Sequence, residues 1–190
     1  MRQPALWVAR HAPVTVTDTC YGRTEVPVDR PSEAAAAVLI DGFAAEPPDV
    51  IWSSTASRCR SVAQIVARHH GVALRVDAAL QELDFGRWEG RAWSEIAEHD
   101  SVAHGRWMRG WEHESPPQGE RPHDIETRVR GWLEALSVDA VHALVAHAGV
   151  VRALRVAIEG RSWCEAMSAP VPHLTWVRFA PFTPRKSVRA

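Results

Sequence analysis

Short apolar runs that stop abruptly at polar residues are the clearest pattern in the chain. Ala5-Leu6-Trp7-Val8-Ala9 stops at Arg10-His11, and Pro13 keeps a helix from starting there. Asp49-Val50-Ile51-Trp52 stops at Ser53-Ser54, and Val141-His142-Ala143-Leu144-Val145-Ala146 stops at His147. Runs of this length, apolar on both sides of the pleat, read as buried strands of a parallel sheet. Val72–Val76 and a segment from about His173 to Phe179 add two further strands.

Helical periods fill the intervals. Pro31-Ser32-Glu33 opens an alanine-rich helix that runs to Phe43, with proline in the first turn, where its missing N–H costs nothing. Ala56 to His70 repeats apolar residues at Val62, Ile65 and Val66 and stops at Gly71. Residues 92 to 111 read as a broken helix rich in His and Trp. His123–Leu136 carries Ile125, Val129, Trp132, Leu133 and Leu136 at helical spacing, and a last helix spans Val150–Ile158. Segments 14–30, 80–90 and 116–122 have no period and read as loops. The alternation of strand and helix predicts an α/β fold, a three-layer α/β/α sandwich on a mostly parallel sheet. One domain is expected over residues 1–182, followed by a polar tail, 183–190.

Charge narrows the function classes. With 22 basic and 23 acidic residues the formal net charge is −1, so bulk charge predicts neither a nucleic-acid nor a membrane partner. Any anion site must be a local concentration of arginines. Cys20, Cys59 and Cys164 are widely separated and form no CxxC pair, which argues against a disulfide framework or a thiolate metal site. His99, His104, His113 and His123 match no compact ligand spacing, so no metal is expected. Met1-Arg2-Gln3-Pro4 leads into too short an apolar run for a signal-peptide core, and no stretch approaches the ~20 residues of a membrane span. The expectation is a cytoplasmic protein. Of nine tryptophans, Trp88 and Trp111 are candidates to stack on a flat substrate group, with core packing as the competing role, and exposed indoles are compatible with a homodimer.

In a parallel sheet the polar strand ends share one edge, where ligands of α/β proteins bind. That edge gathers Arg10, His11, Ser53-Ser54, Arg58 and His147. Neither arginine has a sequence-local acid, and an unpaired buried guanidinium is costly, so an oxyanion such as phosphate fits the set. Helices starting after Ser53-Ser54 and after His147 are expected to add N–H donors. A neutral imidazole is a competent nucleophile toward phosphorus, and a flanking carboxylic acid would protonate the leaving oxygen. Glu82, Asp84 and Glu89 are the acids at hand.

Four segments, in order, carry a resemblance. Trp7-Val8-Ala9-Arg10-His11-Ala12, Ser53-Ser54-x-x-x-Arg58-Cys59, Leu80 to Gly90, and Val145-Ala146-His147-Ala148-Gly149-Val150-Val151-Arg152 resemble the histidine phosphatase superfamily, in its phosphoglycerate-mutase-like branch. The resemblance implies that His11 is the phosphorylated nucleophile, that Arg10, Arg58 and His147 bind the phosphoryl group, and that Glu82 is the proton donor. It also implies a metal-independent phosphomonoesterase with no cofactor and a small phosphorylated substrate. Cys20-Tyr21-Gly22-Arg23-Thr24-Glu25-Val26-Pro27 and Phe85-Gly86-Arg87-Trp88-Glu89-Gly90 look like the corresponding loops of α-ribazole-5′-phosphate phosphatases, which makes Tyr21, Gly22 and Arg23 candidate substrate contacts. The Gly-Gly-Glu-Ser loop of that group reads Gln118-Gly119-Glu120-Arg121 here, and Ala12 and Ala148 stand where the family has glycine. The short span between Glu82 and His147 favours water over a second substrate as phosphoryl acceptor. A mutase-type transferase and a non-catalytic phospholigand-binding protein are the alternatives.

Overall fold

The computed structural model of the protein describes residues 5–43 and 47–179. The chain runs β1 (Ala5–Arg10), α1 (Ser32–Asp41), β2 (Val50–Ser53), α2 (Ser57–His70) and β3 (Ala73–Val76). It continues through α3 (Trp93–His99), α4 (Ser101–Gly110), α5 (Pro122–Glu134), β4 (Val141–Ala146), α6 (Ala148–Glu159), α7 (Trp163–Ser168) and β5 (Trp176–Phe179). The strands form one sheet in the order β3-β2-β4-β1-β5. β1, β2, β3 and β4 are mutually parallel and β5 lies antiparallel on β1.

Two-residue alternation along the strands builds the three layers. Leu6, Val8, Leu144 and Ala146 face α5 and α6, where they bury Ile125, Val129, Leu133, Val151 and Leu154. Ala9, Ile51, Ala143 and Val145 face α1 and α2, against Leu39, Val62, Ala63 and Val66. β4, between β2 and β1, is buried at every residue. A separate small core of Cys20, Trp88 and Ile96, with Phe85, Trp93 and Trp107 against it, supports the loops beyond the carboxyl ends of the strands.

Several expected boundaries shift, for local reasons. The last strand covers only Trp176–Phe179, because Leu174 adopts φ +51° and leaves His173 in an isolated bridge with Arg10. α6 starts at Ala148, two residues before the periodic run suggests, with His147 as its N-cap residue. The broken helix divides at Asp100, whose carboxylate accepts the Trp88 indole N–H at 2.8 Å. α7 is an addition. Its Ser162-x-x-Glu165 capping box closes reciprocally and is legible in the sequence. The predicted tail, 183–190, lies outside the described residues. Among the described residues no helix is long and apolar enough to cross a membrane.

Candidate active site

Parallel pairing of β1, β2 and β4 sets the ends of the three strands side by side, and with them Arg10-His11, Ser53-Ser54 and His147. His11 is 2% exposed. Its Nδ1 lies 2.7 Å from the carbonyl oxygen of Ala12, which can only accept, so Nδ1 carries the hydrogen and the ring's lone pair is left on Nε2. Burial first, then the charges of Arg58 and Arg10, lower the His11 pKa to about 3, against the lifting effect of the Ala12 bond. The imidazole is therefore neutral at physiological pH. His173 Nδ1 approaches the His11 main-chain oxygen at 2.6 Å and its ring lies edge-on to His11, with centroids 5.5 Å apart.

His147 is buried behind His11, with ring centroids 5.3 Å apart. Its Nε2 meets Ser54 Oγ at 2.8 Å and its Nδ1 faces Arg58 Nη2 at 3.5 Å. Burial, followed by Arg58, holds its pKa well below the ordinary value. Arg58, 4% exposed, donates to the carbonyls of Thr24 at 2.8 Å and Gly22 at 2.5 Å. Arg10 Nη1 donates to the Val171 carbonyl at 3.2 Å. These hydrogen bonds run to main-chain carbonyls rather than to acids. The buried Nε–H groups of Arg10, Arg58 and Arg152 find no hydrogen-bond acceptor among the described residues.

The helix N-termini differ from expectation. At α2, Ser57 N–H and Oγ–H donate to the Glu25 carboxylate at 2.8 and 2.5 Å. At α6, Gly149 N–H donates to Glu82 Oε2 at 3.1 Å. Both ends are thus met by a carboxylate of the chain itself, the charge that a helix N-terminus favours.

Three neighbouring acids have three separate fates. Glu89 accepts the backbone N–H groups of Gly22, Arg23, Thr24 and Phe85 at 3.1, 2.9, 3.0 and 3.1 Å, and the Thr24 hydroxyl at 2.5 Å. Burial alone would raise its pKa, but the Thr24 hydroxyl and these backbone donors hold it below the usual range. Asp84 accepts Gly86 N–H at 2.7 Å and pairs with Arg23 at 3.0 Å. Glu82 alone of the three lines the cavity beside Arg10, His11 and Arg58. Its Oε1 accepts Leu83 N–H at 2.9 Å. A Cβ at Gly149 would lie 2.0 Å from that oxygen, so the glycine is what admits the carboxylate to the start of α6.

The loop residues divide likewise. Tyr21 lines the cavity, under the Arg58 guanidinium at 5.7 Å. Gly22 does not line it. Its place is structural, since a Cβ there would lie 1.8 Å from the Leu83 carbonyl oxygen. Arg23 also turns away from the cavity, paired with Asp84 and with Glu120 at 2.7 Å. Glu120, in the 118–121 loop, pairs in addition with Arg128 at 3.0 Å and accepts Asp84 N–H at 3.1 Å. Trp88 is fully buried core, whereas Trp111 is on the cavity wall.

The cavity holds about 420 Å³. Sequence reasoning missed several of its lining residues. Arg152 stands on α6 one turn after Gly149, and burial lowers its pKa, with Glu82 opposing and Arg10 adding to the effect. It closes the Val145–Arg152 segment, but its face of the helix depends on where α6 begins. Trp107, Met108, Trp163 and Met167 line the cavity from α4 and α7. The four spaced histidines do not assemble, and among the described residues no cluster of His, Cys, Asp or Glu is placed to hold a metal ion.

Residues 6–188 match the histidine phosphatase superfamily (branch 1). The chain belongs to that family. A bifunctional protein of Mycobacterium tuberculosis is 34% identical to this histidine phosphatase family member over 116 residues, covering 59% of this chain and 32% of the relative. The chain thus spans about a third of the length of that relative. The adenosylcobalamin/alpha-ribazole phosphatase of Salmonella typhimurium is 26% identical over 154 residues, 78% of this chain and 76% of the relative. The crystal structure of the alpha-ribazole phosphatase from Shigella flexneri superimposes with a TM-score of 0.83 at 23% identity, over 92% of this chain and 89% of that one, and establishes the shared fold.

Proposed function

We propose that the protein is a phosphomonoesterase that works through a phosphohistidine on His11. The observation that carries the reading is the His11 tautomer. Nδ1–H is committed to the Ala12 carbonyl, and the lone pair on Nε2 belongs to a cavity-lining ring beside buried guanidinium N–H groups that have no acceptor among the described residues. A phosphoryl group seated there receives those N–H donors in the planar geometry arginine offers to phosphate.

In the first step Nε2 attacks phosphorus in line and the P–O bond to the alcohol breaks. Glu82, as the acid, gives its proton to the departing oxygen. Arg10 and Arg58 balance charge on the non-bridging oxygens. In the second step water gives a proton to the Glu82 carboxylate and its oxygen attacks phosphorus. The N–P bond breaks and neutral His11 returns. His147, behind His11 and bonded to Ser54 and facing Arg58, holds the Arg58 side of the phosphate site. Arg152 supplies a third guanidinium next to Glu82.

For substrate, the reading is a small phosphate ester such as α-ribazole 5′-phosphate, supported by the names of the relatives and by the apolar cavity wall. The test is phosphate release from a panel of monoesters in excess EDTA, with α-ribazole 5′-phosphate beside 3-phosphoglycerate, sugar phosphates and nucleotides. A marked kcat/KM preference for α-ribazole 5′-phosphate supports both parts of the reading. Broad hydrolysis without preference removes the substrate, and release that requires added metal removes the mechanism.

A further inference from the structure

The cavity is divided by chemistry. Every charged lining residue comes from a strand end, from the start of α2, from residue 82 or from the first turns of α6. α4 with the turn after it contributes Trp107, Met108 and Trp111, and α7 contributes Trp163 and Met167. These two elements present indoles and thioethers and no charge.

Both walls are braced from behind. Trp107 stacks on Trp93 at 5.9 Å and 16° and meets Trp88 edgewise at 5.7 Å, within the small core under the loops. The Trp163 indole N–H donates to Glu126 Oε2 at 3.1 Å, and Glu126 is itself paired with Arg130 at 2.7 Å. Cys164 S–H donates to Glu112 Oε1 at 2.6 Å and so ties α7 to the segment that carries Trp111. Met108 and Met167, 57% and 41% exposed, stand at the rim, where flexible thioethers adapt to what enters. A braced indole on each side with a soft rim binds flat apolar groups and offers a second anion no charged partner.

We infer that α4 and α7 form the leaving-group subsite, and that the substrate is a phosphate monoester whose alcohol carries a flat, uncharged aromatic ring system. The inference rests on the phosphomonoesterase reading and names its substrate class. Discrimination against esters whose alcohol carries hydroxyls and no ring, such as glycerol phosphates, follows, because the largely apolar walls replace little of the water those hydroxyls give up.

The experiment compares 2-(indol-3-yl)ethyl phosphate, 2-phenylethyl phosphate and glycerol 1-phosphate, all primary alkyl esters. The aromatic esters are expected to show kcat/KM higher by about tenfold or more, mainly through KM. Trp163→Ala is expected to cut kcat/KM for the indolyl ester roughly tenfold more than for glycerol 1-phosphate. Met108→Ser and Met167→Ser, at exposed positions that tolerate change, repeat the comparison if Trp163→Ala does not fold. Hydrolysis of all three esters with no aromatic preference overturns the subsite and leaves the phosphatase reading standing. Equal losses on all esters in the variants also overturn it. Hydrolysis of none of the esters, nor of p-nitrophenyl phosphate, overturns the phosphatase reading itself and the subsite with it.

Discussion

Arg128 holds the main chain that presents Glu82. From α5 its Nη2 donates to the Glu82 carbonyl at 3.0 Å, while Nη1 donates to the carbonyls of Ala79 and Gln81, each at 2.7 Å. Glu120 fixes the guanidinium from the other side. Arg128→Met is expected to slow hydrolysis of alkyl phosphates by roughly tenfold to a hundredfold, mostly in kcat. The loss should be small for p-nitrophenyl phosphate, whose leaving group needs no proton, and small again in a Glu82→Gln background. A loss of equal size on every ester, and in both backgrounds, would show that Arg128 supports the fold and not the acid.

Gly149 gives a cleaner separation of stability from chemistry. A methyl group there displaces the carboxylate end of the flexible Glu82 side chain and meets Ile125 at 3.1 Å. Gly149→Ala is therefore expected to leave Tm within about 3 °C of the parent and to slow alkyl phosphates at least about tenfold. Unchanged turnover of an alkyl ester would sink the idea that this carboxylate position matters.

Glu89 makes the opposite prediction, stability first. Glu89→Gln keeps the shape but turns an amide N–H₂ toward backbone donors, leaving some unpaired at about 1–3 kcal/mol each. A fall in the urea midpoint with a higher KM, through the loosened 21–24 loop, is the expected result. Because the Glu89 pKa is depressed in the folded state, its contribution is complete above the unfolded carboxylate value of about 4.3 and is lost as pH falls below it. Midpoints for parent and variant should thus converge at low pH, and a constant gap would contradict the assignment.

Buried and half-buried histidines set a second pH dependence. His11, His142, His147 and His173 all have lowered pKa values, with burial the largest cause in each. The unfolded chain takes up these protons first, so stability is complete above about pH 6.5 and declines as pH falls below it. His11, with its pKa at about 3, contributes a slope that steepens toward about 1.4 kcal/mol per pH unit at the acid end of this window. Urea titrations from about pH 7.5 to about 5 should show the slope, and NMR should find the His11 ring neutral with hydrogen on Nδ1 throughout. A flat stability profile, or a His11 that titrates near 6.5, would refute the described environment.

The strand ends were legible because a parallel sheet needs only local pattern to align them. Arg10-His11, Ser53-Ser54 and His147 stop their runs visibly, and register does the rest. The choice among Glu82, Asp84 and Glu89 was not legible from the residues. It turns on Gly22 and Arg23, far away in sequence, claiming two of the three acids. The same holds for Glu25 at the α2 N-terminus and for Arg23, whose partners Asp84 and Glu120 come from two other loops. Trp107 and Trp163 line one cavity only because α4 and α7 close on it, and no periodicity within either segment encodes that approach.

The most direct test of the central claim is to stop the reaction with p-nitrophenyl phosphate in base within the first turnovers and map phosphorylation by mass spectrometry. A phosphoryl group on His11, stable in base, labile in acid and absent from His11→Ala, is the predicted result. Efficient hydrolysis with no adduct, or an adduct on another residue, would contradict it.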